Sequence, residues 1–144
     1  TGILEEYVGK NKIAEQAKEV VEQYPNSVLH TYEKLDPYFI SAAVSKGDKA
    51  GLKIFKNAGR ILGLGLASAM NLLDIPLVIL GGGMALSHQI LFQTALNTIK
   101  ERAMPTIAAN AELRFSHFAK ETGVIGAALL AKLHLENEET DESE

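Results

Sequence analysis

The chain has 144 residues, 47% of them apolar and 22% charged, a length and balance that suit one globular domain. It contains no cysteine, which excludes a disulfide framework, and neither a signal-like opening nor an uninterrupted apolar run of the roughly 20 residues that cross a bilayer; no membrane contact and a cytoplasmic location are expected. The net charge of -4 is concentrated in Glu136–Glu144, which holds six of the 18 acidic residues and no basic one, and the near-neutral remainder lacks the clustered basic face that direct nucleic-acid contact requires.

In chain order, Ile13, Ala14, Ala17, Val20 and Val21 form one stripe on a helix over Asn11–Tyr24, ended by Pro25. Asp36 and Pro37 read as the N-cap and first residue of a short helix that buries Phe39, Ile40, Ala43 and Val44. Gly47 can close it in the left-handed conformation. Asp48 starts the longest helix, which persists to about Leu73. Its second half is apolar on nearly all sides, which predicts burial between other layers. Gly59, Gly63, Gly65 and Ala67 would let another backbone approach, each helical glycine costing about 1 kcal/mol relative to alanine.

After the break at Asp74 and Pro76, Leu77–Leu80 is a short apolar run expected as a strand buried on both faces. It ends in Gly81, Gly82 and Gly83. A helix follows from Ser87, a candidate N-cap, to Arg102. Ala111–Phe115 alternates as a second strand, and Thr122–Leu133 forms the last helix. The tail from Glu136 has too little apolar surface to offset the entropy of ordering, so 136–144 is expected to be disordered beside a domain spanning 1–135. Helix, strand, helix, strand, helix is α/β grammar with parallel strands. Two strands make a poor sheet alone, so a segment preceding Thr1 is expected.

The triple glycine is the sharpest chemical feature. A backbone without side chains at the carboxyl end of a parallel strand can lie flush against a ligand's ring or phosphate. Met84, Ala85 and Leu86 follow where a Rossmann fingerprint needs its third glycine, and no Walker lysine occurs. Taken alone, the turn is better explained by tight strand-to-helix geometry. The histidines His30, His88, His117 and His134 show no spacing of a helical metal site.

Five blocks in order are Lys46-Gly47-Asp48 with Ala50, Leu62–Ala67, Asn71–Asp74, Val78–Gly83 and Gly123–Ala128. Together they closely resemble the C-terminal half of the ROK family of bacterial sugar kinases and sugar-sensing repressors, over about Gly2 to Leu133. The resemblance implies an α/β, mostly helical fold with about two strands, part of the C-terminal lobe of the ribonuclease H-like architecture shared by actin, hexokinase and Hsp70 ATPases. It gives Gly81, Gly82 and Gly83 the adenine and ribose side of ATP, and makes Gly63, Gly65 and Gly123 packing positions beside that turn. Gly2-Ile3-Leu4-Glu5 is similar to the end of the family's zinc motif, Cys-x-Cys-Gly-x-x-Gly-Cys-x-Glu, whose glutamate binds sugar hydroxyls; Glu5 inherits that role, and a carboxylate suits it as a strong acceptor. The bland alternative is a first-turn carboxylate favouring a helix N-terminus. Ile3 stands where the last cysteine belongs and cannot ligate zinc, which counts against a zinc site.

The resemblance further implies a parent that moves the γ-phosphate of ATP, with magnesium, to a sugar. The family's catalytic aspartate and phosphate loops belong to the first lobe, so no catalytic residue is expected here and the isolated chain should be inactive. The competing expectation is the effector-sensing lobe of a ROK transcriptional repressor. Sugar, nucleotide and the missing N-terminal lobe are the expected partners, with homo-oligomerisation through the C-terminal lobe as in the family.

Overall fold

A computed structural model describes residues 2–81, 88–118 and 121–141, and of Thr122 and 135–141 the backbone only. The chain divides into two compact units, Thr1–Val78 with Ser87–Arg114, and Ile79–Leu86 with Phe115–Glu144.

The first unit is built on helices. A short α1 (Glu5–Val8) meets α2 (Lys10–Glu22) at Gly9, and α2 buries Ile13, Ala17 and Val21 at four-residue intervals, the repeat of one helical face. A 3-10 turn at Val28–Thr31 buries Leu29. Next comes α3 (Pro37–Ser45), where the Asp36 carboxylate accepts the Tyr38 and Phe39 N–H groups at 2.9 and 3.2 Å. These amides have no intrahelical partner, so Asp36→Ala should cost about 1 kcal/mol in chemical denaturation. Lys10→Ala, which removes only the long 3.7 Å ion pair to Asp36, should cost far less.

Gly47 takes φ +80° at the end of α3, and Asp48 opens α4 (Lys49–Leu73) directly. Asp74, with φ 54° and ψ 43°, ends α4, and the Ile75 N–H bonds back to the Met70 carbonyl at 3.2 Å. This is the left-handed exit that satisfies terminal carbonyls. Reversed in this way, the chain enters β1 (Leu77–Leu80) and later returns as α5 (Gln89–Arg102). Gly59 and Gly63 of α4 lie against Leu91 and Ala95 of α5, so the two helices run parallel in register.

Beyond α5, Pro105–Asn110 forms α6 and Glu112–Phe115 forms β2. The N–H groups of Glu112 and Ser116 donate to the carbonyls of Pro76 and Leu80, each at 2.8 Å. Both pairs advance by four residues, so β1 and β2 are parallel, in a two-stranded sheet. Ala67, Met70, Ile99, Ile107 and Ala111 form a buried cluster, with Val78 and Leu113 packed on it. The second unit's helix, α7, spans Thr122–Asp141.

The mostly helical architecture with two strands is as expected, but four readings need correction. The second half of α4 is not apolar-packed all round: Ala67 and Met70 are buried, while Leu64 is exposed and Leu72 is 84% exposed. One stripe of α4 faces its neighbours and the opposite stripe faces outward. β1 is likewise covered on one face only, where Val78 meets the cluster; Ile79, pointing the other way, is 63% exposed. The cap of α5 is His88, whose Nδ1 accepts the Ile90 N–H at 3.2 Å, and Ser87 lies outside the described residues. Finally, α7 runs to Asp141, past Leu133 where the last helix was expected to end. A preformed helix adds residues without repeating the cost of nucleation, and glutamate propagates helices well. Residues 142–144 lie outside the described residues.

Candidate functional site

Glu5 is the first residue of α1 and is exposed. Two glycines shape its surroundings. At Gly9 a Cβ would stand 2.6 Å from both the Glu5 carbonyl oxygen and its Oε1, so the bend between α1 and α2 brings the Glu5 carboxylate across a bare stretch of backbone. On α4, a Cβ at Gly65 would stand 2.9 Å from Leu4 Cδ2, so the residue preceding Glu5 rests in a notch on the long helix. Neither contact was legible in the sequence, where Gly65 had been expected beside the triple-glycine turn.

Next to α1 lies a polar cleft of about 390 Å³ lined by Glu6, Tyr7, Lys12, Glu15 and Gln16. Lys12 Nζ bonds Glu15 Oε2 at 2.8 Å, and that hydrogen bond, reinforced by the charge of Glu15, holds the Lys12 ammonium above its ordinary pKa. Gln16 Nε2 donates to the Tyr7 carbonyl at 3.3 Å, tying α2 to α1. Glu6 and Tyr7 present carboxylate and aromatic chemistry beside Glu5 that the sequence reading had not singled out.

A second cleft, of about 400 Å³, is lined by residues 23–28 and 46–50. Its floor is a closed polar cluster. The buried Asp48 carboxylate accepts from Ser27 Oγ at 3.0 and 2.9 Å, from the Val28 N–H at 2.9 Å and from the Gly51 N–H at 2.8 Å. Burial pushes its carboxyl up, but the bonds from Gly51, Ser27, Val28 and Ala50 outweigh burial and hold it below the ordinary aspartate range. A carboxylate so satisfied has no lone pair aimed at a ligand, and its role is to staple the start of α4 to the turn after α2.

Gly81 follows β1 directly and is exposed. Gly82 and Gly83 lie outside the described residues. Gly63 packs against Ala95 and Thr98 of α5, a helix-to-helix contact. Among the described residues, a Cβ at Gly123 would meet nothing within 4 Å. For zinc, Ile3 supplies no donor atom, and no group of three or more His, Cys, Asp or Glu side chains that could hold a metal occurs among the described residues. Among those residues no helix is long and apolar enough to cross a membrane.

The chain is 28% identical over 136 residues to a glucokinase from Halalkalibacterium halodurans, covering 92% of this chain and 41% of that protein. It is 26% identical over 129 residues to the DNA-binding transcriptional repressor Mlc of Escherichia coli, covering 90% and 32%. A solved ROK family glucokinase from Streptomyces griseus, in complex with glucose and AMPPNP, superposes with a TM-score of 0.79 at 22% identity, over 90% of this chain and 44% of that one. The chain thus spans about two fifths of the length of the glucokinases it matches. The ROK family itself matches residues 1–134, nearly the whole sequence, and this chain belongs to it.

Proposed function

We propose that the chain is the nucleotide- and sugar-binding C-terminal lobe of an ATP-dependent sugar kinase of the glucokinase type, within a ribonuclease H-like fold. The observation that carries this reading is the glucokinase match over 92% of this chain but only 41% of the relative. In this reading Glu5 accepts hydrogen bonds from sugar hydroxyls, and Gly81, with Gly82 and Gly83, lies against the adenine and ribose of ATP. The phosphate loops and the catalytic base belong with the other lobe, and magnesium with the complete protein, so the chain by itself transfers no phosphate. The exposed face of β1 and the exposed Val124, Leu129 and Leu130 of α7 support a lobe that is covered by further protein.

A second reading, the effector-sensing lobe of a ROK repressor, draws on the 26% identity to Mlc. Both readings place sugar at Glu5 and both accommodate self-association. Phosphoryl transfer separates them. A protein that joins this chain to its first lobe should phosphorylate glucose from ATP under the kinase reading, with this chain alone silent. Absence of turnover in the joined protein, with DNA binding that changes on sugar addition, would establish the repressor. Glu5→Gln should reduce glucose affinity at least about tenfold under either, the charge-assisted acceptor being the stronger one.

A further inference from the structure

We infer that Gly65 on α4, through its contact with Leu4, is a positioning residue for the Glu5 carboxylate. The inference rests on the reading of Glu5 as a sugar ligand and adds how the fold sets its place. The helix that carries Glu5 is four residues long, too short to hold its own direction in water, since isolated helices of that length do not form. Its orientation must come from tertiary contact, and the structure shows it fixed at both ends. At the C-terminal end, Gly9 permits the bend into α2 because a Cβ there would run into the Glu5 carbonyl at 2.6 Å. At the N-terminal end, Leu4 drops into the notch at Gly65, where an added Cβ would lie 2.9 Å from Cδ2, 3.1 Å from Cδ1 and 3.5 Å from Cγ.

Those three distances decide what a substitution does. The obstruction is a side chain and no backbone, so the helix α4 tolerates a methyl group and Leu4 is what yields. Leu4 is bonded to Glu5, and its carbonyl accepts the Tyr7 and Val8 N–H groups at 3.0 and 3.1 Å. Moving Leu4 therefore turns α1 as a unit and swings the Glu5 carboxylate with it. A sugar held by hydrogen bonds of about 2.8 Å responds steeply to such a shift, because these bonds weaken sharply once distance and angle leave their narrow optimum. Stability responds in the opposite direction, since alanine is the better helix former.

The test is a graded series in the full protein, Gly65→Ala and Gly65→Val, each with and without Leu4→Ala, read by glucose titration and by the amide resonances of Glu5 and Glu6. Gly65→Ala should leave the thermal midpoint level or raised while glucose affinity falls a few fold. Gly65→Val should lower affinity about tenfold, and Leu4→Ala should restore most of that loss by vacating the notch. The Glu5 and Glu6 resonances should move in the single variants without sugar present. If Glu5→Gln abolishes binding while Gly65→Val leaves affinity and those resonances unchanged, the positioning role is overturned and the sugar reading stands. Unaltered affinity in Glu5→Gln overturns the sugar reading and the positioning role together.

Discussion

Asp48→Ala should destabilise the protein by about 3 kcal/mol, measured by urea unfolding at neutral pH. The substitution removes an N-cap, which typically contributes 0.5–2 kcal/mol, and also strands Ser27 Oγ and the Val28 and Gly51 N–H groups that converge on the carboxylate at 2.8 to 3.0 Å. Hydrogen bonds to a charged group contribute about 1.5–3 kcal/mol, so the long-range bonds to residues 27 and 28 add to the local cap. The same carboxylate gives stability a definite pH dependence. Its folded pKa is depressed, so the native state holds its proton less tightly than the unfolded chain does. The contribution is therefore fully present above the unfolded value of about 3.9 and disappears as pH falls below it through the folded value. Asp48→Asn keeps the shape and loses the titration, so the difference between wild type and Asp48→Asn should shrink as the pH is lowered through that window.

A comparable or larger loss is expected from Gly63→Val, at least about 3 kcal/mol. A Cβ at residue 63 would stand 2.6 Å from the Ala95 carbonyl oxygen and 2.6 Å from Thr98 Cβ. Ala95 and Thr98 belong to the interior of α5, and a helical carbonyl cannot step aside without opening its own hydrogen bond. Overpacking in interiors commonly costs 1–3 kcal/mol and sometimes more, and here the obstacle is backbone. A Cβ at residue 59 would likewise run into the Leu91 carbonyl, so the two positions form one seam and Gly59→Ala should be costly as well. The contrast with Gly65 is instructive. All three glycines lie on α4, but the seam glycines face backbone and Gly65 faces a leucine side chain, so unfolding should report on the former and sugar affinity on the latter.

How much of this could be read beforehand depends on the range of the interaction. The Asp36-Pro37 start, the Gly47-Asp48 junction and the Asp74 stop are written in residues that act on their own backbone, and each falls where the local chemistry places it. The strand Leu77–Leu80 was equally plain from its apolar run. What escaped was set at a distance. That Asp48 also reaches back to Ser27 and Val28, twenty and more residues away, has no local sign. The exposure of Ile79 and Leu72 depends on which faces receive cover, which an apolar run does not state. α1 and α6 were passed over because four and six residues are too few to show a helical period. For the candidate site, Glu5 and the glycine turn came from motif resemblance, whereas the contacts that fix Glu5, Leu4 on Gly65 and the bend at Gly9, appear only once α1 and α4 are brought together.

The left-handed exit at Asp74 restricts inheritance at that position. Its φ of 54° suits glycine without strain and asparagine or aspartate at small cost, and burdens every β-branched residue. Drift at residue 74 is thus biased by the handedness of one peptide unit, and a valine or isoleucine arising there would either carry that strain, about 1–2 kcal/mol or more, or loosen the last turn of α4.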